Sequence, residues 1–325
     1  MNSKSPETSP TNELHVDDVA DGQRIDNYLF NKLKHLPKNQ VYRLLRTGQI
    51  RVNKGRKKPV YRMKLGDIVR LPPSAIPAEP DQVRPINVPN QTVKLIKKAI
   101  IYEDNGLIVL NKPSGFAVHG GSGLSFGIIE LLRTIYPAAP YLELVHRLDR
   151  DTSGCLMIAK KPSVLKQLHA DLRGDGVEKC YLALLAGKWR RQGQIVNAPL
   201  KKNTLKSGER VVRVDPEGKA SLTEFSLVEQ FQRCCLVKAY PKTGRTHQIR
   251  VHAAHLNLPI LGDDKYGNEV LDKEFRRHGL KRLFLHALSL KFVMPGTNKP
   301  MQVTAPLESS LEKVLENLRE AHGKP

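Results

Sequence analysis

Cysteines and long apolar runs are scarce in this chain of 325 residues. Its four cysteines are Cys155, Cys180, Cys234 and Cys235, and no two of them have the CxxC spacing of a zinc or redox site. We therefore expect reduced thiols that pack as small apolar side chains. No apolar run approaches the roughly 20 residues that span a membrane, and the N-terminus contains no apolar signal core. These absences predict a cytoplasmic protein without a membrane partner.

Acidic residues are few relative to basic ones. The chain has 53 lysines and arginines against 32 aspartates and glutamates, which gives a formal net charge of +21. Such an excess indicates an anionic partner, either nucleic acid or a membrane surface. The length suggests about two domains, and a hydrophobic content of 40% is enough for a packed core.

The positive charge is concentrated near the N-terminus. Residues 1–20 are polar and predict a flexible tail, whereas residues 21–75 contain 14 lysines and arginines against 3 aspartates. This segment also shows two helical faces, a glycine at the expected end of the second helix (Gly48) and short strands joined by turns. It predicts a folded RNA-binding unit, and the alternative is a solvated basic surface. The candidate RNA-binding side chains are Arg24, Lys38, Arg43, Arg46, Arg51, Lys54, Arg56, Lys57 and Lys58.

The rest of the chain mixes strands and helices. Prolines stiffen residues 76–95, which we predict to be a linker. Residues 96–325 form the second predicted domain. Its predicted helices do not alternate strictly with its strands, which favours an α+β fold with a mixed, largely antiparallel central sheet over a doubly wound fold.

The densest polar cluster is HRLDRDTSG, residues 146–154. It lies between two predicted strands, 142–145 and 155–159, and reactive groups are commonly carried by loops on a rigid sheet. Its alternative is a salt-bridged turn in which the polar side chains bond to local backbone. Spacing alone does not decide between these two interpretations.

A second cluster, KTGRTHQIRVHAAH, covers residues 242–255 and enters a predicted helix. Arg245 and Arg250 are candidates for contact with a phosphate or pairing with a carboxylate, and the alternative is an exposed basic helix face. His252 and His255 have a spacing that could bind a metal ion, but no third ligand is identifiable, so we expect no metal.

A third pattern imitates a serine hydrolase. Residues 123–127, GLSFG, match GxSxG, and His119-Gly120-Gly121 resembles an oxyanion loop. The two motifs adjoin in the sequence and therefore could hardly face each other across a substrate. We expect Ser125 to cap the following helix, and the glycines to allow close approach of a ligand or phosphate.

The motifs taken together resemble two known families. Residues 21–29, 41–53 and Gly66-Asp67 resemble the S4 RNA-binding domain. LNKPSG, HRLDRDTSG, KCYLA, GRTHQIRVH and RLFLHA occur in that order from residue 110 to residue 287, and they resemble the RluA-type pseudouridine synthases. The resemblance implies an enzyme that isomerises uridines in 23S large-subunit ribosomal RNA. Nothing in the sequence suggests an obligate oligomer, so we expect a monomer. A noncatalytic RNA-binding or ribosome-assembly protein is the alternative.

The resemblance also implies roles for individual residues. Asp149 matches the essential catalytic aspartate, and Arg250 matches the arginine that pairs with it. Tyr181 matches the tyrosine that stacks on the target base, and Arg147 matches the arginine that fills the gap left by that base. No cofactor is needed, because bond order and redox state balance in the reaction. The carboxylate could attack the anomeric carbon or remove the 2′ proton, and the sequence does not choose between these routes.

Overall fold

The computed structural model describes residues 12–17, 20–33, 35–76, 88–120, 126–190, 193–204, 210–297 and 299–322. Most of the predicted linker (77–87) and Ser125 lie outside these residues, as do most of residues 1–20. Contacts divide the chain into two compact units, Met1–Ile86 and Asn87–Pro325. Among the described residues, no helix is both long enough and apolar enough to cross a membrane.

The described part of the N-terminal unit contains two α-helices and a small antiparallel sheet. The helices are α1 (Ile25–Lys32) and α2 (Lys38–Arg46), the strands are β1 (Glu13–His15), β2 (Arg51–Val52) and β3 (Ile68–Arg70), and their order in the sheet is β1-β3-β2. The prediction that residues 1–20 form a flexible tail is wrong for β1. Residues 13–15 pair with β3, so the folded unit begins before Asp21.

The end of α2 follows from one glycine. Gly48 has a φ of +71°, a left-handed conformation that costs glycine little. Its N–H donates to the carbonyl of Leu45 at 3.1 Å. The apolar faces predicted for both helices are buried, including Leu29 in α1 and Leu44 in α2. The prediction of two small helices ending near Gly48 is therefore confirmed.

The second unit is built on a ten-stranded sheet. Its strands are β4 (Ile100–Glu103), β5 (Leu107–Lys112), β6 (Glu143–Leu144), β7 (Ser153–Ala159), β8 (Val177–Ala186), β9 (Gly193–Asn197), β12 (Leu222–Gln230), β13 (Cys234–Pro241), β14 (Leu285–Val293) and β15 (Pro300–Thr304). The main order is β4-β5-β7-β14-β8-β13-β12-β9. The pair β7 and β14 is parallel, and the other neighbours in this sheet are antiparallel. The predicted mixed, largely antiparallel sheet is confirmed.

Strand β14 joins the two halves of this sheet. It pairs with β7 on one side and β8 on the other, although it comes more than 90 residues later in the chain than either. All seven residues of β7 are buried, as expected for a strand that is covered on both faces. The four cysteines are free and buried, as predicted, and burial raises the pKa of Cys155, Cys234 and Cys235 to about 12.

A two-stranded hairpin and six α-helices complete the described part of the unit. The hairpin consists of β10 (Leu200–Thr204) and β11 (Arg210–Val214), and the helices are α3 (Asn90–Lys98), α4 (Ile128–Ile135), α5 (Pro162–Arg173), α6 (Gln248–His255), α7 (Glu269–Phe275) and α8 (Ser309–His322). The residue that caps α4 is Gly127 rather than the predicted Ser125. Its N–H and that of Gly120 donate to the carboxylate of Glu130, which makes serine unnecessary there.

We predict that the second unit folds without the first. The two units have separate apolar cores, one formed by residues between 16 and 75 and the other by residues beyond 95. Deletion of residues 1–86 should therefore preserve the far-ultraviolet circular dichroism expected of the remaining sheet and a cooperative thermal transition. The affinity for RNA should fall relative to the full chain. A truncated protein without a cooperative transition would contradict the division.

Candidate active site

A cavity of about 290 Å³ lies between the loop before β7, strand β8 and the beginning of α6. It is lined by Arg147, Asp149, Tyr181 and Arg250, the four residues whose roles were predicted from the motifs, and also by Arg245. The sheet thus brings together segments that are up to about 100 residues apart in sequence. HRLDRDTSG begins in the loop between β6 and β7, as predicted, and its last two residues, Ser153 and Gly154, are the first two of β7.

Lys112 anchors the loop that contains Asp149. This lysine is fully buried, and its ammonium group donates three hydrogen bonds of 2.9 Å to the carbonyls of Pro113, Phe116 and Arg150. Burial lowers the pKa of Lys112 to about 7. The side chain thereby links the LNKPSG segment to the HRLD loop, and each of the three protons of its ammonium group has an acceptor.

Two further contacts fix the ends of the same loop. At one end, the imidazole of His146 accepts a hydrogen bond of 3.1 Å from the N–H of Met157, and burial lowers the pKa of His146 to about 4. At the other end, Ser153 bonds to His286 of β14 at 2.9 Å. Arg147 lies between these anchors and is exposed at the rim of the cavity.

Arg250 is the central cation of the cavity, and its side chain is 4% exposed. Its Nε and Nη2 donate to the carboxylate of Asp263 at 2.7 and 2.5 Å, and Nη2 also reaches Asp264 at 3.1 Å. The distance from Nη1 to Oδ2 of Asp149 is 3.7 Å. Arg250 therefore contacts Asp149 but has a closer partner that the sequence analysis did not identify.

The protonation of Arg250 is secured by that partner. Burial opposes the charge, but the hydrogen bonds and negative charge of Asp263 raise the pKa of the guanidinium. The guanidinium carbon also lies 5.2 Å from the centre of the Tyr266 ring, within range of a cation–π interaction. The guanidinium thus keeps one edge, Nη1, directed at Asp149.

His247 is the second polar neighbour of Asp149. Its Nε2 lies 3.8 Å from Oδ2 of Asp149, and its Nδ1 lies 2.7 Å from the hydroxyl of Tyr266. That hydroxyl also accepts the N–H of Val212 at 2.9 Å, so its own proton is available for Nδ1. A neutral ring bonded in this way carries its proton on Nε2, the nitrogen that faces Asp149. Burial lowers the pKa of His247, which favours this neutral form.

The backbone at His247 supports a specific role for its side chain. His247 has a φ of +54°, in the left-handed region that non-glycine residues rarely adopt. Such conformations are retained where the surrounding structure requires them, and they concentrate at functional sites. The position of histidine immediately before the helix that contains Arg250 was visible in the sequence, but its contact with Tyr266, 19 residues away, was not.

Tyr181 lies in β8 with one small residue opposite it on each neighbouring strand. These are Ala239 of β13 and Ala287 of β14. The ring is half-buried at the cavity, and burial raises the pKa of its hydroxyl. An uncharged ring beside small cross-strand neighbours provides a flat surface on which a planar group can stack.

His252 is unavailable as a metal ligand, because both ring nitrogens are already hydrogen-bonded. Nε2 lies 3.0 Å from the carbonyl of Ala198, and Nδ1 lies 2.9 Å from the hydroxyl of Thr223. Burial lowers its pKa and favours the neutral ring. Within the described parts of the chain, no group of three or more histidine, cysteine, aspartate or glutamate residues has an arrangement suited to a metal ion.

The nine remaining RNA-binding candidates lie in the N-terminal unit. Arg46, Arg56, Lys57 and Lys58 surround one open cavity of about 420 Å³. Arg24 is bound to Asp26 at 2.6 Å, so part of its charge is neutralised within the unit. The others are exposed: Lys38, Arg43, Arg51 and Lys54. Their contact with RNA remains a prediction.

Comparison with known proteins identifies both units. Residues 106–255 match the RNA pseudouridylate synthase family, and residues 23–69 match the S4 domain. The chain is 53% identical to the ribosomal large subunit pseudouridine synthase C of Pasteurella multocida, over 94% of each protein. It is 51% identical to the protein of that name from Escherichia coli, over 92% of this chain and 94% of that one.

Solved structures show the same resemblance. The chain is similar to human RNA Pseudouridylate Synthase Domain Containing 4, with a TM-score of 0.59 and 27% identity. That match covers 71% of this chain and 96% of the human one. A second human protein, RNA Pseudouridylate Synthase Domain Containing 1, matches with a TM-score of 0.54 and 26% identity, over 70% and 95% of the two chains.

We predict that Asp263 is required for stability. Its side chain is fully buried against Arg250, so Asp263→Ala would leave a buried cation without its main partner. The free energy of unfolding should fall by about 3–5 kcal/mol, as measured by urea denaturation. Glu178→Ala is the matched control, because it removes an exposed pair with Lys291 and should cost less than about 1 kcal/mol. Equal losses in the two variants would contradict the assignment.

Proposed function

The chain belongs to the RNA pseudouridylate synthase family, and we propose that it isomerises specific uridines of 23S large-subunit ribosomal RNA to pseudouridine. The enzyme class, an RNA-modifying isomerase, follows from the family. The choice of large-subunit RNA is supported by relatives that are named ribosomal large subunit pseudouridine synthase C and that match nearly the whole chain. The proposed chemistry rests on the position of the Asp149 carboxylate, which lines the cavity beside a buried arginine.

The reaction exchanges one bond to the ribose for another. The N1–C1′ bond of uridine breaks, the uracil turns, C5 bonds to C1′, and the proton on C5 is released while N1 gains one. The anomeric carbon becomes electron-poor as the base leaves, and an ionised carboxylate at Asp149 stabilises it. Attack on C1′ and removal of the 2′ proton both use the same carboxylate. Atoms and electrons balance without a cofactor.

Arg250 and His247 would hold that carboxylate in place. The guanidinium of Arg250 stabilises the negative charge of Asp149, and Asp263 fixes the direction of the guanidinium. The neutral ring of His247 presents an N–H to the same oxygen of Asp149. Both groups belong to the turn and helix that form one wall of the cavity, so the aspartate is oriented by a single rigid element.

Tyr181 would stack on the displaced base, and Arg147 would fill the gap that the base leaves in the RNA. A uridine must leave its stack to enter the cavity, at a cost of a few kcal/mol. Stacking on an aromatic ring recovers about 1–3 kcal/mol per base, and Tyr181 offers such a ring inside the cavity. Arg147 is exposed at the rim, where its planar guanidinium can stack in the gap that the base leaves.

The N-terminal unit would hold the RNA by its phosphates. Its cations make binding strongly dependent on salt and only weakly dependent on sequence. The division of the chain at residue 86 suits this arrangement. The first unit would bind the RNA, and the second would catalyse the reaction. The proposal includes a monomeric, metal-independent enzyme that acts in the cytoplasm, the compartment in which bacterial ribosomal RNA is made.

We predict that Asp149→Asn abolishes isomerisation. The amide keeps the size of the side chain but cannot carry the negative charge that the anomeric carbon requires. The assay is tritium release from large-subunit RNA that contains C5-tritiated uridine. Asp151→Asn is the matched control, because Asp151 lies in the same loop, is 39% exposed and pairs with Arg150 outside the cavity. It should retain activity within about threefold.

The outcomes of this assay discriminate between functions. Release by the unaltered protein and by Asp151→Asn, but not by Asp149→Asn, would support both the reaction and the role of the carboxylate. Tight binding of the RNA without release by the unaltered protein would favour the noncatalytic RNA-binding alternative. Equal release by all three proteins would contradict the role of Asp149.

We predict that Tyr266→Phe lowers kcat about tenfold and leaves KM within about twofold, because His247 loses the hydroxyl partner that orients it toward Asp149. The variant keeps the ring beside Arg250 but removes the hydroxyl that bonds to His247. Tyr136→Phe removes a hydroxyl that bonds to Glu103 away from the cavity, and it should change neither constant. An unchanged kcat in Tyr266→Phe would contradict the role of this hydroxyl.

A further inference from the structure

A second cavity, of about 360 Å³, adjoins the active site. It is lined by the hairpin of β10 and β11, the turn at 217–219 and the turn Gly244–Thr246. The last of these turns also lines the active-site cavity. The two cavities are therefore separated by the thickness of one turn of backbone.

The walls of the second cavity are strongly basic. Lys202, Lys219 and Arg245 are exposed there, and within the described residues none of them forms an ion pair. Lys201 differs, because its ammonium group lies 2.5 Å from the carboxylate of Glu217. That pair neutralises the one acidic side chain of the lining, so three positive charges remain.

Arg245 is positioned to bind an anion. Its Nε donates to the carbonyl of Ala220 at 3.1 Å, and its own backbone N–H donates to the side chain of Gln248 at 3.0 Å. These two bonds hold the guanidinium at the junction of the two cavities. Its two terminal nitrogens remain available for the bidentate contact that arginine makes with phosphate.

The floor of the second cavity is apolar. Leu200 and Val212 are 5% and 6% exposed, and they pack with Val251 of α6 and with Tyr266. Gly244 leaves the junction open, because no atom lies within 4 Å of the position that a Cβ would occupy. A basic wall over an apolar floor matches a ligand that carries a phosphate on one side and a flat, weakly polar ring on the other.

We propose that the second cavity binds the nucleotide next to the target uridine on the RNA strand. Its phosphate would contact Lys202, Lys219 and Arg245, and its sugar and base would rest on Leu200 and Val212. Consecutive nucleotides must occupy neighbouring sites when one of them enters the active site, and the shared turn provides this adjacency. This subsite rests on the proposed action on RNA and adds to it a point of recognition outside the target base.

The test uses the full-length double variant Lys202→Gln/Lys219→Gln. Its KM for the tritiated large-subunit RNA should rise about tenfold at 0.15 M salt, while kcat stays within about twofold, because ground-state and transition-state binding are weakened equally. The slope of log Kd against log salt should become less steep by about 1.4 for two lost single-strand phosphate contacts. Lys299→Gln/Lys313→Gln is the control, because both lysines are exposed and line neither cavity.

The subsite and the proposed substrate can fail separately. A KM and a salt slope in the double variant equal to those of the control would overturn the subsite. A fall in kcat with an unchanged slope would also overturn it, because lost phosphate contacts must reduce the release of counterions. If the unaltered protein released no tritium from large-subunit RNA but the slopes still differed, the subsite would stand and the assignment of the substrate would be wrong.

Discussion

The geometry of the active site depends on one buried positive charge. Arg250 has almost no contact with water, and a charge in that position is tolerated when it is paired and hydrogen-bonded. Asp263 satisfies two of its nitrogens, and the ring of Tyr266 covers one face. What remains is a single edge directed at Asp149. The desolvation of the Arg250 guanidinium thus becomes the means by which the carboxylate of Asp149 is oriented.

This requirement accounts for the elements around the site. The turn after Gly262 supplies Asp263, and backbone N–H groups of Lys265 and Tyr266 donate to its carboxylate. Tyr266 in turn connects the hairpin strand that contains Val212 with His247. The second cavity and the active site therefore share more than the turn Gly244–Thr246. A ligand that contacts Val212 therefore acts on a strand that is linked, through the hydroxyl of Tyr266, to His247 beside Asp149.

Much of the fold was predictable where local pattern and tertiary packing agree. The strands around HRLDRDTSG and the helices of the N-terminal unit follow from apolar spacing, and the buried cysteines follow from the absence of CxxC pairs. Strand β14 was not among the strands predicted from the sequence, and His286 and Ser289 interrupt its apolar pattern. Both residues are buried, and His286 is satisfied by Ser153 on the neighbouring strand. A polar residue whose partner lies 133 positions away cannot be recognised as a core residue from its own surroundings.

The same limit applies to the site. The motifs identified Asp149, Arg250, Tyr181 and Arg147, and the structure brings all four to one cavity. The residues that hold them, Lys112, Asp263 and Tyr266, were not identified. Each acts through contacts to segments that adjoin it only after folding, and a buried lysine is indistinguishable in sequence from a surface one. The strand Glu13–His15 was mistaken for part of a tail for a related reason, since its partner β3 lies more than 50 residues later.

The position of β14 also determines when the enzyme becomes complete. The sheet half that carries the loop of Asp149 and the half that carries Tyr181 and Arg250 are joined only through this strand in the main strand order. It begins about 100 residues after the end of β8, so a chain emerging from the ribosome has made the first strands of both halves well before these halves can be fixed together. The basic N-terminal unit, in contrast, has been synthesised by then and has a core of its own. The order of synthesis therefore separates the two capacities of the protein in time, with an RNA-binding surface available before any catalytic one.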